Sequence, residues 1–388
     1  MIEKGRVDAM RNIVIIAGNF VMPDGDAAAV RVRGIAQVLS YNGYKIILQG
    51  KNFEKNSSKC NSYKLDEFIW KTRPPYKRKT YYFDCQYLID TIQEAGIQRV
   101  KALILYHHPA IPVLKIQKYC KKNNIMLVTD TTEWYSLYQL RANKHAVFTI
   151  ADFYLRMLYV NRKVGNLIVI SSYLRDYYQS NKARVIQIPI LNINKEYKLP
   201  ERTWDCLRIC YCGSPAKKDL LEPIVNTVQK TNENGNRVEL HIVGVSEIDY
   251  CNSHPGVHNF GDYIRFYGRV EHSKAIEILR QCDFSTIIRR DERYAKAGFP
   301  TKMVEALSNG VGVIATPCGD IPHYVKNDNN GYLISFKSVE LELERLLLYI
   351  SSLSNVEICR IKKNALITAE RCFSPQSYSD RIAGFFSN

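Results

Sequence analysis

The sequence predicts two α/β domains, each a mainly parallel sheet covered by helices, and three observations carry that prediction. The chain has 388 residues, too many for one ordinary domain and suited to two of middling size. Short apolar runs alternate with helix-length segments, which is the pattern of βαβ units. The alternation stops at a polar, aperiodic stretch, LNINKEYKLPERTWDC (191–206), and then restarts.

In the first series NIVIIAG (12–18) reads as a buried strand ending in glycine, followed by a helical pattern over 27–41 and the strand YKIILQG (44–50). ALILY (102–106), IMLVTD (125–130), LIVISS (167–172) and VIQIPI (185–190) complete a first domain over 1–190. Residues 191–206 are the expected linker. The second domain, 207–374, holds LRICYCG (207–213), VELHIVG (238–244), FSTII (284–288), VGVIAT (311–316) and GYLIS (331–335), with helix after Val339. The tail has an amphipathic pattern over 375–386.

Hydrophobic residues make up 46% of the chain, enough for two real cores, which excludes wholesale disorder. The N-terminal apolar stretch is short and lacks a small-residue cleavage site, so no signal peptide is expected. The most apolar longer segment, 147–160, is interrupted by Asp152 and Arg156, so no spanning helix is expected either. Eleven scattered cysteines, odd in number and without a C-x-x-C pair, predict reduced thiols and a cytoplasmic location. No His/Cys cluster has ligand spacing, so neither a metal nor a cofactor is expected.

Charge is asymmetric. Residues 1–200 hold 31 Lys+Arg against 15 Asp+Glu, and the remainder holds 23 of each, so the whole +16 lies in the first half. That half predicts an anionic partner: a phosphate-bearing substrate, an acidic membrane surface or nucleic acid. The stretch 141–163 interleaves Arg141, Lys144, Arg156, Arg162 and Lys163 with Phe148, Phe153, Tyr154 and Tyr159, as an interfacial helix does. Reversible attachment to the inner face of the plasma membrane is the corresponding expectation.

The passage GFPTKMVEALSNGVGVIATPCGD (298–320) carries the most chemistry. Gly298, Phe299 and Pro300 precede a helix starting near Thr301, whose free first-turn amides attract phosphate. Lys302 in that turn is unfavourable for a bare helix and makes sense opposite a diphosphate. Glu305, one turn on, can accept hydrogen bonds from a ribose diol. Asn309 and Gly310 end the helix before a buried strand.

GFPTKMVEALSNGVGVIAT resembles the donor-site segment of glycosyltransferase family 4, of the polysaccharide-assembly type. YCGSPAKKDLL (211–221), LHIVG (240–244) and FYGRVEHSKAIEILRQCDFSTIIR (266–289) resemble the family's other second-domain elements, and PDGDAAAVRVRGIAQVLSYNGYKI (23–46) and DTTEWY (130–135) its first. The resemblance implies two Rossmann-like domains facing each other across a cleft, the GT-B arrangement, with the C-terminal helix 375–388 packing back on the first domain. It implies hexosyl transfer with retention from a UDP- or GDP-linked sugar to a glycan or polyprenyl-linked glycan, in surface polysaccharide synthesis. Gly213, Ser214 and Lys217 then lie by the diphosphate, and Lys218 and Arg290 are the cations that stabilise the leaving group, preferred over Arg289. One departure concerns the donor sugar. Where the family places the first acid of its pair, eight residues before Glu305, this chain has Ala297, which predicts a preference for deoxy or acylated-amino sugars.

On the acceptor side, Asp24 and Gly25 lie in a loop after the first strand, with Arg31 on the helix behind it. His107 and His108 follow the strand ALILY; Asp130 and Glu133 follow the next. His108 and Glu133 are the candidate catalytic groups there. A P-loop motif and a G-x-G-x-x-G fingerprint are absent from the sequence. The remaining alternative is a basic nucleic-acid-binding α/β protein without enzymatic activity, favoured by charge and 26 tyrosines but lacking any known binding signature. Nucleic acid is therefore not the expected partner.

Overall fold

The computed structural model describes residues 11–21, 26–51, 62–65, 67–73, 78–135, 146–192, 199, 202, 204–213, 219–235, 237–254 and 260–387. The chain divides into two compact units, Met1–Ile193 with Pro375–Asn388, and Asn194–Ser374.

The first unit is built on strands β1 (Ile13–Val21), β2 (Lys45–Lys51), β3 (Ser62–Leu65), β4 (Phe68–Arg73), β5 (Val100–Tyr106), β6 (Met126–Thr131), β7 (Asn166–Val169) and β8 (Arg184–Gln187). Their order is β3-β4-β2-β1-β5-β6-β7-β8. All pairings are parallel except that of β3 with β4. β1 reads as one apolar run because both its faces are covered. Val14 and Ile16 pack with Val32, Ile35 and Leu39 of the helix Ala27–Tyr41, whereas Ile13 and Ile15 pack with Val113 and Ile116 of the helix Ala110–Lys122. The β3–β4 pair has no counterpart among the strands read from sequence. It is an edge hairpin whose Tyr63 and Ile69 are nearly half exposed, so it lacks the continuous apolar signal.

The second unit holds β9 (Leu207–Cys212), β10 (Val238–Val243), β11 (Ile264–Gly268), β12 (Phe284–Ile287), β13 (Gly312–Ala315) and β14 (Gly331–Leu333). The sheet is parallel in the order β11-β10-β9-β12-β13-β14. The order reverses between β9 and β12, and a crevice opens at the carboxyl ends of such neighbouring strands. Of the expected linker, Arg202 and Trp204 are anchored to this unit: both donate to the carboxylate of Asp283, which is fully buried.

After the helix Asn355–Phe373 the chain returns to the first unit. Tyr378, Ile382, Phe385 and Phe386 join the core beneath the helix Ala27–Tyr41. The helix Ala146–Leu155 runs on through a π turn, Arg156–Val160, into Asn161–Val164 and stops at Gly165. Among the described residues no helix is long and apolar enough to cross a membrane.

Candidate active site

At the β9/β12 reversal the second unit gathers a charged cluster. Lys302, the second residue of the helix Thr301–Ser308, reaches back beneath Gly213 at the end of β9. Its Nζ donates to Asp219 Oδ2 at 2.5 Å and to the Tyr211 hydroxyl at 2.8 Å. From the other side Arg289 Nε donates to Asp219 Oδ1 at 2.6 Å. Arg289 is itself fixed by Thr316, whose Oγ1 accepts from its amide and donates to its carbonyl. The backbone of the Asp219 segment is tied to the end of β12 by a bond from the Leu220 amide to the Ile288 carbonyl.

Two cations and one carboxylate leave this cluster with a net positive charge. Burial alone would raise the Asp219 carboxyl, but Arg289 and Lys302 overcome it and hold the pKa below the usual carboxylate range. Burial pushes the Lys302 ammonium down, with Asp219 opposing. The helix at Thr301 adds to the field. Its preceding residue, Pro300, supplies no side-chain cap, and its carbonyl accepts only from the Met303 amide, so the amides of Thr301 and Lys302 have no cap. Arg290, next after Arg289, is exposed.

Glycine is required where these parts meet. Gly213 has φ +128°, and a Cβ there would lie 2.6 Å from Lys302 Cε. A Cβ on Gly244 would lie 2.7 Å from the Gly213 carbonyl carbon, so β9 and β10 end in two backbones that approach with nothing between them.

The remaining donor-side residues separate by environment. Glu305 lies in the second turn of its helix, half-buried rather than on the surface, and burial raises its carboxyl against the pull of His272 and Lys302. The site assigned to Phe299 needs correction. Its ring is buried edge-on against Tyr324 and Phe373, so it packs the loop instead of facing a ligand. Gly298 and Pro300 are buried beside it, and Thr301 is half-buried. Ala297 has no exposed surface, so the selectivity expected of that position has no surface through which to act. Ser214, Lys217 and Lys218 lie outside the described residues, as do Asp24 and Gly25.

In the first unit, His107, His108, Asp130, Glu133 and Arg156 border one cavity of about 10 Å³ at the carboxyl ends of β5 and β6, room for about one water. His107 sits in a left-handed conformation, φ 50°, with its Nε2 2.6 Å from Thr132 Oγ1 and its ring stacked on Tyr106. Desolvation, reinforced by Arg156 and Arg31, lowers its pKa to about 3. The ring is neutral at any ordinary pH. His108 is buried, with Nε2 against the Tyr87 hydroxyl. Thr129 Oγ1, Arg156 Nε and Asn161 Oδ1, all buried, also border this space without a protein partner.

Arg31 and Asp130 are corrected here. They face each other in a buried bidentate pair, with Nε and Nη2 of Arg31 at 2.6–3.1 Å from the carboxylate oxygens and Nη1 donating to the carbonyls of Ile188 and Pro189. The pair ties three segments of the first unit together and leaves Arg31 no surface for an acceptor. Two groups were not legible beforehand, Asp219 and Tyr211. A lone acid after two lysines and a tyrosine inside an apolar strand carry no local signal.

Residues 207–350 match the family model described as glycosyl transferases group 1. The match lies within the second unit and covers its whole sheet. Solved structures similar to the chain over its length include sucrose-phosphate synthase from Thermosynechococcus elongatus, with TM-score 0.69, 13% identity and coverage of 97% of this chain and 98% of that one. The catalytic domain of starch synthase IV from Arabidopsis thaliana, bound to ADP and acarbose, gives 0.68 at 10% identity over 97% and 99%. Anabaena Alr3699/HepE in complex with UDP and glucose gives 0.61 at 14% identity over 97% and 100%. No curated sequence is similar enough to count as a relative. The fold is that of the GT-B glycosyltransferases, and its two parallel-sheet units are the ones expected. Within the matched residues the charged cluster occupies the strand-order reversal.

Proposed function

We propose that the protein transfers a glycosyl group from a nucleoside-diphosphate sugar to a glycan or lipid-linked glycan acceptor, with retention of configuration, in surface polysaccharide synthesis. The observation that carries this reading is the net positive Lys302–Asp219–Arg289 cluster beneath Gly213, beside an uncapped helix start. It also draws on the structural neighbour whose complex contains UDP and glucose, which favours a uridine diphosphate donor.

When the bond from the sugar C1 to the diphosphate oxygen breaks, the electron pair stays on that oxygen. Fixed positive groups stabilise this charge without reorganising as it forms. Lys302 and the start of the Thr301 helix supply the preorganised field, exposed Arg290 closes on the phosphates, and Lys218 is assigned to them from the sequence. Glu305 takes the ribose diol. In a retaining transfer the acceptor hydroxyl attacks from the side the diphosphate leaves, and its proton passes to the departing phosphate oxygen. His107 and Glu133 face the acceptor in this reading, while Arg31, Asp130 and the buried His108, held against Tyr87, form the frame they stand on.

The test is a thermal-shift titration with UDP-, GDP- and ADP-linked sugars, since a ligand that binds only the folded state raises its melting temperature. A shift with at least one of them, reduced by Arg290→Ala and Glu305→Ala, is the expected result. No shift with any sugar nucleotide, in a protein that melts cooperatively, overturns the assignment.

A further inference from the structure

The helix that begins at Ala146 changes its winding at the π turn Arg156–Val160, and that turn borders the cavity of the first unit. Across the turn the Asn161 amide donates to the Arg156 carbonyl, five residues back. Residues five apart lie about 140° from each other around an α-helix of roughly 3.6 residues per turn. Here both line one cavity, because the wider π turn carries an extra residue and brings them onto one side. Arg156, counted in the sequence among the cations of an interfacial helix, therefore turns inward.

Three buried polar atoms meet this space without a partner among the described residues: Arg156 Nε, Asn161 Oδ1 and Thr129 Oγ1. Asn161 is 1% exposed and Thr129 5%. The Asn161 amide group is fixed, since its Nδ2 donates to the Tyr178 hydroxyl at 2.9 Å and to Thr131 Oγ1 at 3.2 Å, which leaves Oδ1 to accept. An arginine Nε only donates, an amide oxygen only accepts, and a threonine hydroxyl does either. The volume, about 10 Å³, takes about one oxygen atom.

Charge disfavours an ion here. Asp130 is matched by Arg31, and among the other lining residues Arg156 and Glu133 carry opposite charges. An anion would meet Glu133 and the Asn161 oxygen, and a cation would meet Arg156. An apolar group would leave all three polar atoms unsatisfied at the full cost of their desolvation. A hydroxyl accepts from Arg156 and donates to Asn161 at once.

We infer that this cavity receives a single uncharged hydroxyl group of a sugar acceptor, with Arg156 Nε donating to it and Asn161 Oδ1 accepting from it. The inference rests on the glycosyl-transfer reading and narrows it. At this point the acceptor is recognised through an alcohol and not through a phosphate, although the first half of the chain carries the whole +16. His107, Glu133 and Arg156 are half-buried, so a sugar can reach the space from solvent. A water offers the same donor and acceptor, and the test separates the two.

That test is saturation-transfer NMR on the full chain, with the methyl glycosides of glucose, galactose and mannose, their monodeoxy analogues, and glucose 6-phosphate as probes. At least one methyl glycoside is expected to bind. Loss of one particular hydroxyl is expected to weaken it about tenfold or more, the scale of a hydrogen bond to a charged group. Arg156→Met is expected to bind the glycoside as weakly as that deoxy analogue and no longer to distinguish them. Thr129→Val exchanges a hydroxyl for a methyl of the same size and is expected to narrow the difference severalfold; where Arg156→Met does not melt cooperatively, Thr129→Val decides alone. The proposal is overturned if no glycoside binds, or if every deoxy analogue binds like its parent, as in a cavity that holds only water. It is also overturned if Arg156→Met keeps the discrimination, or if glucose 6-phosphate binds more tightly than methyl glucoside through Arg156. The sugar-nucleotide thermal shift reads the transfer assignment separately. A protein that shows the shift without the discrimination loses this inference alone, and one that discriminates without any shift loses the transfer assignment and keeps the hydroxyl site.

Discussion

Asp219 is the residue on which the candidate site turns, because one carboxylate orients two cations from different elements. Its side chain is 4% exposed, and Asp219→Asn would leave Lys302 and Arg289 close together and buried without their counter-ion. Breaking a buried pair from one side costs about 3–5 kcal/mol. A lower melting temperature is expected, together with weaker binding of sugar nucleotide; an unchanged melting temperature argues against the cluster. The pH dependence has a definite sign. The folded pKa of Asp219 is depressed, so its stabilisation is full above the ordinary carboxylate range and is lost only as pH falls through the folded value. His107 has the same sign at higher pH. Its ring stays neutral down to about 3 in the folded protein but takes up a proton near 6.5 when unfolded, so stability falls as pH drops through that window. His107→Asn keeps a residue that tolerates a left-handed φ and removes the titration. Chemical denaturation between pH 7 and 4 is expected to show a flatter loss of stability in this variant than in the parent.

Among the elements, the end of β9 and the start of the Thr301 helix act as one unit through Gly213. An alanine there meets two obstacles: the backbone sits at φ +128°, and Lys302 Cε occupies the place of the new Cβ. Gly213→Ala is expected to displace Lys302 from Asp219. Affinity for nucleoside diphosphates in calorimetry should fall about tenfold or more, by the scale of a charged hydrogen bond. A Gly213→Ala protein with parental affinity would show that Lys302 acts elsewhere. This juxtaposition was half legible. A glycine after an apolar strand and a lysine in a helix's first turn are both visible in the sequence, but a contact across 89 residues depends on how the elements dock.

At the scale of the molecule, the chain's last residues belong to its first unit. Tyr378, Ile382, Phe385 and Phe386 are buried in that core, and Arg184 lies 4.9 Å over the Phe385 ring. Removing 375–388 uncovers the helix Ala27–Tyr41. With ~1.5–3 kcal/mol for each buried apolar side chain as an upper range, the first unit is expected to lose most of its stability. The second unit keeps its own core, including the helix Asn355–Phe373. A truncation at Ser374 should therefore show a premature or missing transition from the first unit in calorimetry and a retained one from the second. Two intact transitions would contradict this.

What the sequence determined by itself was the alternation: a strand buried on both faces is predominantly apolar, so β1, β5, β9 and β10 are visible as runs without any knowledge of their neighbours. It also determined the Thr301 helix, because Pro300 before it and Asn309–Gly310 after it act locally. The hairpin β3–β4 and the strand β11 were left to the tertiary structure, since charged and polar residues interrupt each of these short segments. So was the division of the charges. Arg31 and Asp130 both looked like ligand contacts at the mouth of a sheet, yet 99 residues apart they close on each other. Asp219, with no local signal at all, holds the two cations of the candidate site. Local sequence carries periodicity and caps, whereas the partner of a buried charge is chosen only when distant strands come into register.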